Sequence, residues 1–363
     1  MAEGRAQPGN PGNRHYFNAP VFAVAPMIDW TDRHYRFFAR QLSKHALLYT
    51  EMIVAEAILR GDRQRLLGFD VSENPVALQL GGNDPRKMAE AAAIAEDFGY
   101  DEINMNVGCP SDRVQSGTFG ACLMQEPETV AACVSAMKAA VKIPVTVKCR
   151  IGVDDQDPEV ALRRLVAQVV NAGTDAVWVH ARKAWLQGLS PKENREIPPL
   201  DYELVHRLKQ ENPDLFIGIN GGLQSLSQAL EQLRHLDGVM LGRAAYHDSA
   251  MLTAADGHFP HPVTGTAAQP AGEFSERGHR LDLDFWSDVR DAMAAYAATH
   301  IANGGRLIHV TRHMVGLFQG WSGARRYRQI LSSDATRQGA GPEVIHAAFG
   351  AVFEATAAKQ AAE

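Results

Sequence analysis

A few polar residue types recur in this chain at spacings that suit chemistry on a polar ligand. Gln79, the pair Asn104 and Asn106, Lys148 and His180 each lie at or near the end of a short apolar run. Asn220-Gly221-Gly222 and Gly242-Arg243 close two further runs, and Pro26-Met27-Ile28 follows the first. Buried without partners, an amide, an ammonium or an imidazole costs several kcal/mol. One such residue alone reads as a hydrogen-bonded structural side chain. Four or more at corresponding ends point instead to a large polar ligand. The glycines allow close backbone approach, and Arg243 can grip a phosphate with two hydrogen bonds. A mononucleotide cofactor such as FMN fits this set, with Lys148 near the electron-rich pyrimidine end of the isoalloxazine, where it stabilises the reduced anion. A sugar-phosphate substrate explains the phosphate-binding residues equally well.

Cys109 stands between Gly108 and Pro110, just past one of these ends, in a loop rich in Ser, Gly and Asn. A free thiol has a pKa of about 8.5 and is mostly protonated near neutrality. It can serve as a general acid, or as a nucleophile where a neighbour lowers its pKa. A metal role has little support, because Cys109 and Cys122 form no C-x₂-C pair and no His lies at ligand spacing. Cys122, Cys133 and Cys149 read as small buried hydrophobes.

Positioning such residues needs a repeating scaffold. Apolar runs at 21–25, 46–49, 76–80, 102–106, 145–148, 176–180, 216–219 and 238–241 read as strands. Helical patterns lie between most of them. Thr31 suits an N-cap before Tyr35, Phe38 and Leu42, and Pro127 suits the first turn of another helix. Alternating strands and helices imply a parallel sheet. Eight units match a (β/α)₈ TIM barrel of about 250 residues, whose active sites lie at the C-terminal strand ends and whose phosphate sites follow strands seven and eight. A doubly wound sheet lacks support, since no G-x-G-x-x-G follows an early strand. The reading is an α/β protein: a loose tail at 1–18, the barrel at 19–255, a Pro/Gly-rich linker at 256–280 and an all-helical domain at 281–363.

Composition bounds the function. Of 363 residues, 45% are hydrophobic and 21% charged, as in ordinary soluble globular proteins. No run approaches the 18–20 or so apolar residues of a membrane span, and the N-terminus lacks the apolar core of a secretory signal. With only four cysteines, reduced thiols in a cytoplasm are expected. Net charge is −6, which on average disfavours nucleic acid. Residues 306–337, however, hold six arginines against Asp334 alone, a local charge of +5 that leaves −11 for the rest. Such a patch either binds phosphates or is a solvated helix face.

The runs APMIDWTDRHYR, YDEINMNVGCPSDRVQSGTFGACLM, IPVTVKCRIGVDDQD, HARKAWLQGLSPKENREIPPLDY, INGG and DGVMLGRAAY resemble the tRNA-dihydrouridine synthase family. Its A-type subfamily, which acts on uridines 20 and 20a of the tRNA D-loop, is the best match. The resemblance is dense over 20–255 and looser over the helical tail. It implies an FMN-containing barrel followed by a tRNA-holding helical domain, with flavin reduced by NADPH (or NADH). The flavin in turn gives hydride from N5 to C6 of uracil. It implies that Cys109 is the acid that protonates C5. Pro26, Met27 and Ile28 would lie along the flavin, and Gln79 and Lys148 would bind its ring. His180 would sit at the flavin–substrate boundary. Asn220, Gly221, Gly222, Gly242 and Arg243 would hold ribityl and phosphate. Asn106 would contact the target uridine, and Lys192, Arg195, Arg325 and Arg326 the RNA. A monomer is the default expectation. One rival, an FMN barrel acting on a free pyrimidine, leaves the Arg-rich tail and KENREIPPLDY unexplained. Another, a non-catalytic RNA-binding barrel, leaves Cys109, Lys148 and His180 unexplained.

Overall fold

Short runs of Val, Ile, Ala and Leu, bounded by Gly, Pro and Asp, become strands because branched side chains pack well on a pleated surface. In the computed structural model, residues 17–111, 118–268, 272–275 and 279–361 are described. Most of the expected N-terminal tail, residues 112–117 of the quoted GCP run and parts of 256–280 therefore lie outside the described residues. The strands are β1 (Val21–Val24), β2 (Leu47–Val54), β3 (Val76–Gly81), β4 (Glu102–Val107), β5 (Val145–Arg150), β6 (Ala176–His180), β7 (Phe216–Asn220) and β8 (Gly238–Leu241). They pair in parallel, in chain order, and β1 closes on β8 through Val21 opposite Gly238 and Val24 opposite Leu241. The expected TIM barrel is the observed one.

Period two divides the strand residues. Val21, Ala23, Tyr49, Ala77, Trp178, Phe216 and Met240 pack together as one cluster, the barrel interior. Phe22, Val24, Leu48 and Leu78 pack with the surrounding helices in the other. Trp178 fills the space that Gly218 leaves, where a Cβ would lie 2.2 Å from its ring.

The helices start where their caps dictate. Pro85, Pro127 and Pro158 occupy first turns, and Asp84 and Asp157 accept backbone N–H groups of the helices they precede. The cap of the first helix, Arg33–Leu42, is Asp32 and not Thr31: Asp32 accepts from the backbone of His34 and Tyr35, while Thr31 hydrogen-bonds Met27. The aspartate carboxylate reaches two donors of the first turn where a hydroxyl one residue earlier reaches none.

β2 runs five residues beyond the expected end. Its pairing with β3 shifts register between Tyr49 and Met52. There the Thr50 hydroxyl accepts from the backbone N–H of Gln79 at 3.0 Å, taking the place of a ladder carbonyl.

Beyond β8 the long elements are helices: Leu283–Ala302, Ala324–Ser333 and Glu343–Gln360, with the short Leu307–Thr311 between. Ala324–Ser333 buries Ala324, Tyr327, Ile330 and Leu331 and exposes Arg325, Arg326 and Arg328. Asp32 ties this segment to the barrel, pairing with Arg312 and with His313 at 3.0 Å. Burial opposes the Asp32 charge. The hydrogen bond and charge of His313, the Tyr35 backbone N–H and Arg312 outweigh it, and hold the carboxyl well below the usual range. His313 also bonds the Tyr246 hydroxyl at 3.0 Å, and Tyr246 stacks on Trp30.

Candidate active site at the barrel mouth

Gln79, Asn106, Lys148, His180 and Asn220 come from five successive strands, β3 to β7, and meet at their C-terminal ends. Asn106 lies opposite Lys148, and His180 opposite Asn220. The Lys148 ammonium donates to Asn220 Oδ1 at 3.1 Å, and Asn220 Nδ2 donates to the Met240 carbonyl at 2.7 Å. On the other side Asn106 Nδ2 donates to Gln79 Oε1 at 2.7 Å. Asn106 Oδ1 accepts from the backbone N–H groups of Gly108 and Cys109 at 3.1 and 3.0 Å. The thiol loop is thus held by the last amide of β4. Cys109 is half-buried, its carbonyl takes the Ala121 N–H, and its Sγ lies 3.4 Å from Ser111 Oγ. Cys133 and Cys149 are buried as expected, and burial pushes both thiols up to about 12. Cys122, by contrast, is only half-buried, and its thiol donates to the Phe119 carbonyl.

The mouth is cationic. Burial, and then the Arg150 guanidinium, hold the Lys148 ammonium down at about 8. Burial and the charges of Arg150, Lys148, Arg182 and Arg195 push His180 well below its usual value, so at neutral pH it is an uncharged imidazole. Its Nδ1 is buried with no hydrogen-bond partner among the described residues. Sequence reasoning passed over Arg150 and Arg182. Arg150 is 4% exposed, and it donates to the carbonyls of Gly108, Lys183 and Asn194 at 3.0, 3.0 and 2.8 Å. It therefore fastens the Cys109 loop to the loop after β6. The signal was period two: Arg150 follows Lys148, and Arg182 follows His180, by two residues.

The remaining expected residues divide. Gly221 and Gly222 have φ of 106° and 74°, so they turn the chain at the end of β7 in a way side chains resist. Gly242 lies against Met27, whose Sδ is 3.3 Å from where a Cβ would be. Arg243 pairs with Glu196, in the loop that carries Lys192 and Arg195. Arg195 is within electrostatic reach of both Arg243 and Cys109. Between the two cations Asn194 is buried and braces the loop through Trp185. Pro26 is partly buried, whereas Ile28 is exposed and lines a cavity of about 430 Å³ with Arg36, Glu51 and Tyr100. Arg325 and Arg326 stand on the helical segment, off the barrel mouth. An ammonium, three amides, an orphaned imidazole nitrogen, a glycine turn after β7 and an arginine after β8 form a polar set that fits a flavin mononucleotide.

A family model described as dihydrouridine synthase (Dus) matches residues 23–353. The chain is 53% identical over 332 residues to a tRNA-dihydrouridine(20/20a) synthase of Shewanella oneidensis, covering 92% of this chain and 94% of the relative. Proteins of the same name show 51% identity in Synechocystis, over 91% of this chain and 93% of the relative, and 47% in Yersinia pestis, over 97% of each. These matches span every strand that carries the mouth residues and the helices beyond. The chain belongs to the dihydrouridine synthase family of flavin-dependent oxidoreductases.

Proposed function

We propose that this chain reduces the C5=C6 bond of uridine in tRNA to 5,6-dihydrouridine, using bound FMN and taking reducing equivalents from NADPH (or NADH). Uridines 20 and 20a of the D-loop are the targets on this reading, which rests on the names of the relatives. When bound, the reduced flavin supplies a hydride to C6 of uracil. This chain's residues supply the rest. Pro26, Met27 and Ile28 line the cofactor, Gln79 and Lys148 hydrogen-bond its ring, and His180 borders the substrate. Asn220, Gly221, Gly222, Gly242 and Arg243 hold ribityl and phosphate. As C6 gains hydride, negative charge moves toward C5 and O4 of the base. Cys109 Sγ gives its proton to C5, so hydride and proton together complete the single bond. Asn106 contacts the uracil while its Oδ1 fixes the Cys109 backbone. His180, being neutral, offers one donor and one acceptor and adds no competing charge.

The uracil must leave the RNA stack, which costs a few kcal/mol and less in a loop. Phosphate contacts from Lys192 and Arg195 at the rim, and from Arg325 and Arg326 on the tail, offset that cost. The division of labour is a catalytic barrel at 19–255 and a tRNA-holding helical domain at 281–363. The protein acts as a monomer in the cytoplasm, where its free thiols stay reduced. No helix among the described residues is long and apolar enough to cross a membrane.

The observation that carries the reading is Asn106, which lies opposite Lys148 and ties the Cys109 loop to Gln79. The test is an absorbance spectrum of the purified protein, followed anaerobically by NADPH and then unmodified tRNA. A flavin band that bleaches with NADPH and returns with tRNA is expected. Return with free uracil instead of tRNA would move the protein to free-pyrimidine chemistry. No flavin after reconstitution with FMN would leave only RNA binding.

A further inference from the structure

Beneath the mouth, the barrel interior carries a continuous chain of buried polar side chains. Glu102, Asn104 and Thr146 are 0% exposed and Gln79 is 1%. From the top down, the backbone N–H groups of Gly108 and Cys109 donate to Asn106 Oδ1, and Asn106 Nδ2 donates to Gln79 Oε1. Gln79 Nε2 donates to Asn104 Oδ1 at 2.8 Å, and Asn104 Nδ2 to Thr146 Oγ1 at 2.8 Å. The Thr146 hydroxyl donates to Glu102 Oε1, which also receives the Tyr49 hydroxyl at 2.5 Å.

Both ends of this chain have fixed roles. A backbone N–H can only donate, and at the foot Glu102 Oε1 accepts from two hydroxyls, those of Thr146 and Tyr49. An amide whose oxygen must face up must turn its nitrogen down. One end would suffice to set every amide, and here both ends demand the same direction. No link can flip without setting two donors or two acceptors against each other in a dry interior.

We propose that Glu102 and Thr146 are positioning residues for the reaction: through Asn104 and Gln79 they fix the orientation of Asn106, and so the placement of the Cys109 loop. This inference rests on the role of Cys109 proposed above. Both are fully buried beneath the mouth. Their task is to leave a single arrangement of the amides at the mouth, where an apolar interior would leave several. Tyr49 supports the foot of the chain by occupying the carboxylate oxygen that Thr146 uses.

Thr146→Val keeps the shape and removes the link between Glu102 and Asn104. We expect kcat for dihydrouridine formation to fall at least tenfold, toward the roughly hundredfold cost of ångström-scale misplacement, with KM for tRNA unchanged. Alkylation of Cys109 by iodoacetamide in the native protein should speed up by about threefold or more as the loop loosens. Thr146→Ser, which restores the hydroxyl, should recover both values. A Val variant with wild-type kcat and wild-type alkylation would overturn the proposal, and so would a folded Ser variant that fails to recover. If Thr146→Val does not fold, Tyr49→Phe carries the test, with shifts in the same directions expected and no shift overturning it. Failure of the underlying reading looks different: the wild type would then lack flavin or turnover with tRNA, whereas the alkylation series would still report on the chain.

Discussion

The barrel mouth and the helix Ala324–Ser333 both gather positive charge, and they hold it in opposite ways. At the mouth, Lys148 and Arg150 are wedged among fixed acceptors: Asn220 for one, the carbonyls of Gly108, Lys183 and Asn194 for the other. On the helix, Arg325, Arg326 and Arg328 stand in solvent while Tyr327, Ile330 and Leu331 anchor the opposite face. Cations in the first setting are few, oriented and partly desolvated, so each acts on one place. Cations in the second are exposed and additive, the kind of setting in which charge acts through its number and is screened by salt. A net charge of −6 describes neither region.

That contrast is open to being broken. The largest effect belongs to Cys109→Ala: dihydrouridine formation should drop by about 10²–10⁴-fold, while flavin content and bleaching by NADPH persist. Near-normal product from the mutant, measured by mass spectrometry of digested tRNA, would remove the thiol from the chemistry. The double change Arg325→Glu and Arg326→Glu should weaken tRNA binding tenfold or more at low salt, and lower the steepness of log affinity against log salt by roughly 2. Flavin content should not move, and an unaltered salt titration would detach the helix from RNA. The smallest effect sharpens the contrast through pH. Lys148 is held down at about 8, so it passes from mostly charged to mostly neutral as pH rises through that value. The rate of flavin reduction by NADPH should decline severalfold over that span, and Lys148→Met should flatten the profile. An unchanged inflection in the mutant would assign it to another group. The sign for folding is opposite. Above about 8 the unfolded chain still holds the proton that the folded one has released, so this group adds stability as pH climbs toward the ordinary lysine range.

The two regions also differed in how far the sequence disclosed them. The strands, buried on both faces, announce themselves as short continuous apolar runs, and amides or lysine at their ends break that pattern visibly. Gln79, Asn106, Lys148, His180 and Asn220 were legible for that reason. β2 extends past the apolar run at 46–49 through polar Thr50 and Glu51, and only the structure shows the Thr50 hydroxyl serving as a ladder acceptor. Arg150 and Arg182 were passed over because an arginine after a strand reads as surface, although their spacing from Lys148 and His180 pointed inward. Glu102 and Thr146 were invisible as a pair, since their link crosses between strands and sequence distance hides it. In the tail the arginine count was plain but its use was not. Arg312 is spent on Asp32 and Arg337 pairs with Asp334, which leaves the helix Ala324–Ser333 as the denser exposed set.

The Asp32–Arg312–His313 clamp bears on how this protein is made. It joins positions separated by 280 and 281 residues, and the barrel seam joins Val21 to Gly238. A ribosome has released the first barrel helix long before it supplies that helix's ionic partners. Until then the nascent barrel has an open edge, and its first helix carries a cap whose carboxylate is unpaired. Contacts of such span make folding slow and its intermediates prone to mispairing. Docking of the tail against the barrel thus waits on contacts made late in the chain.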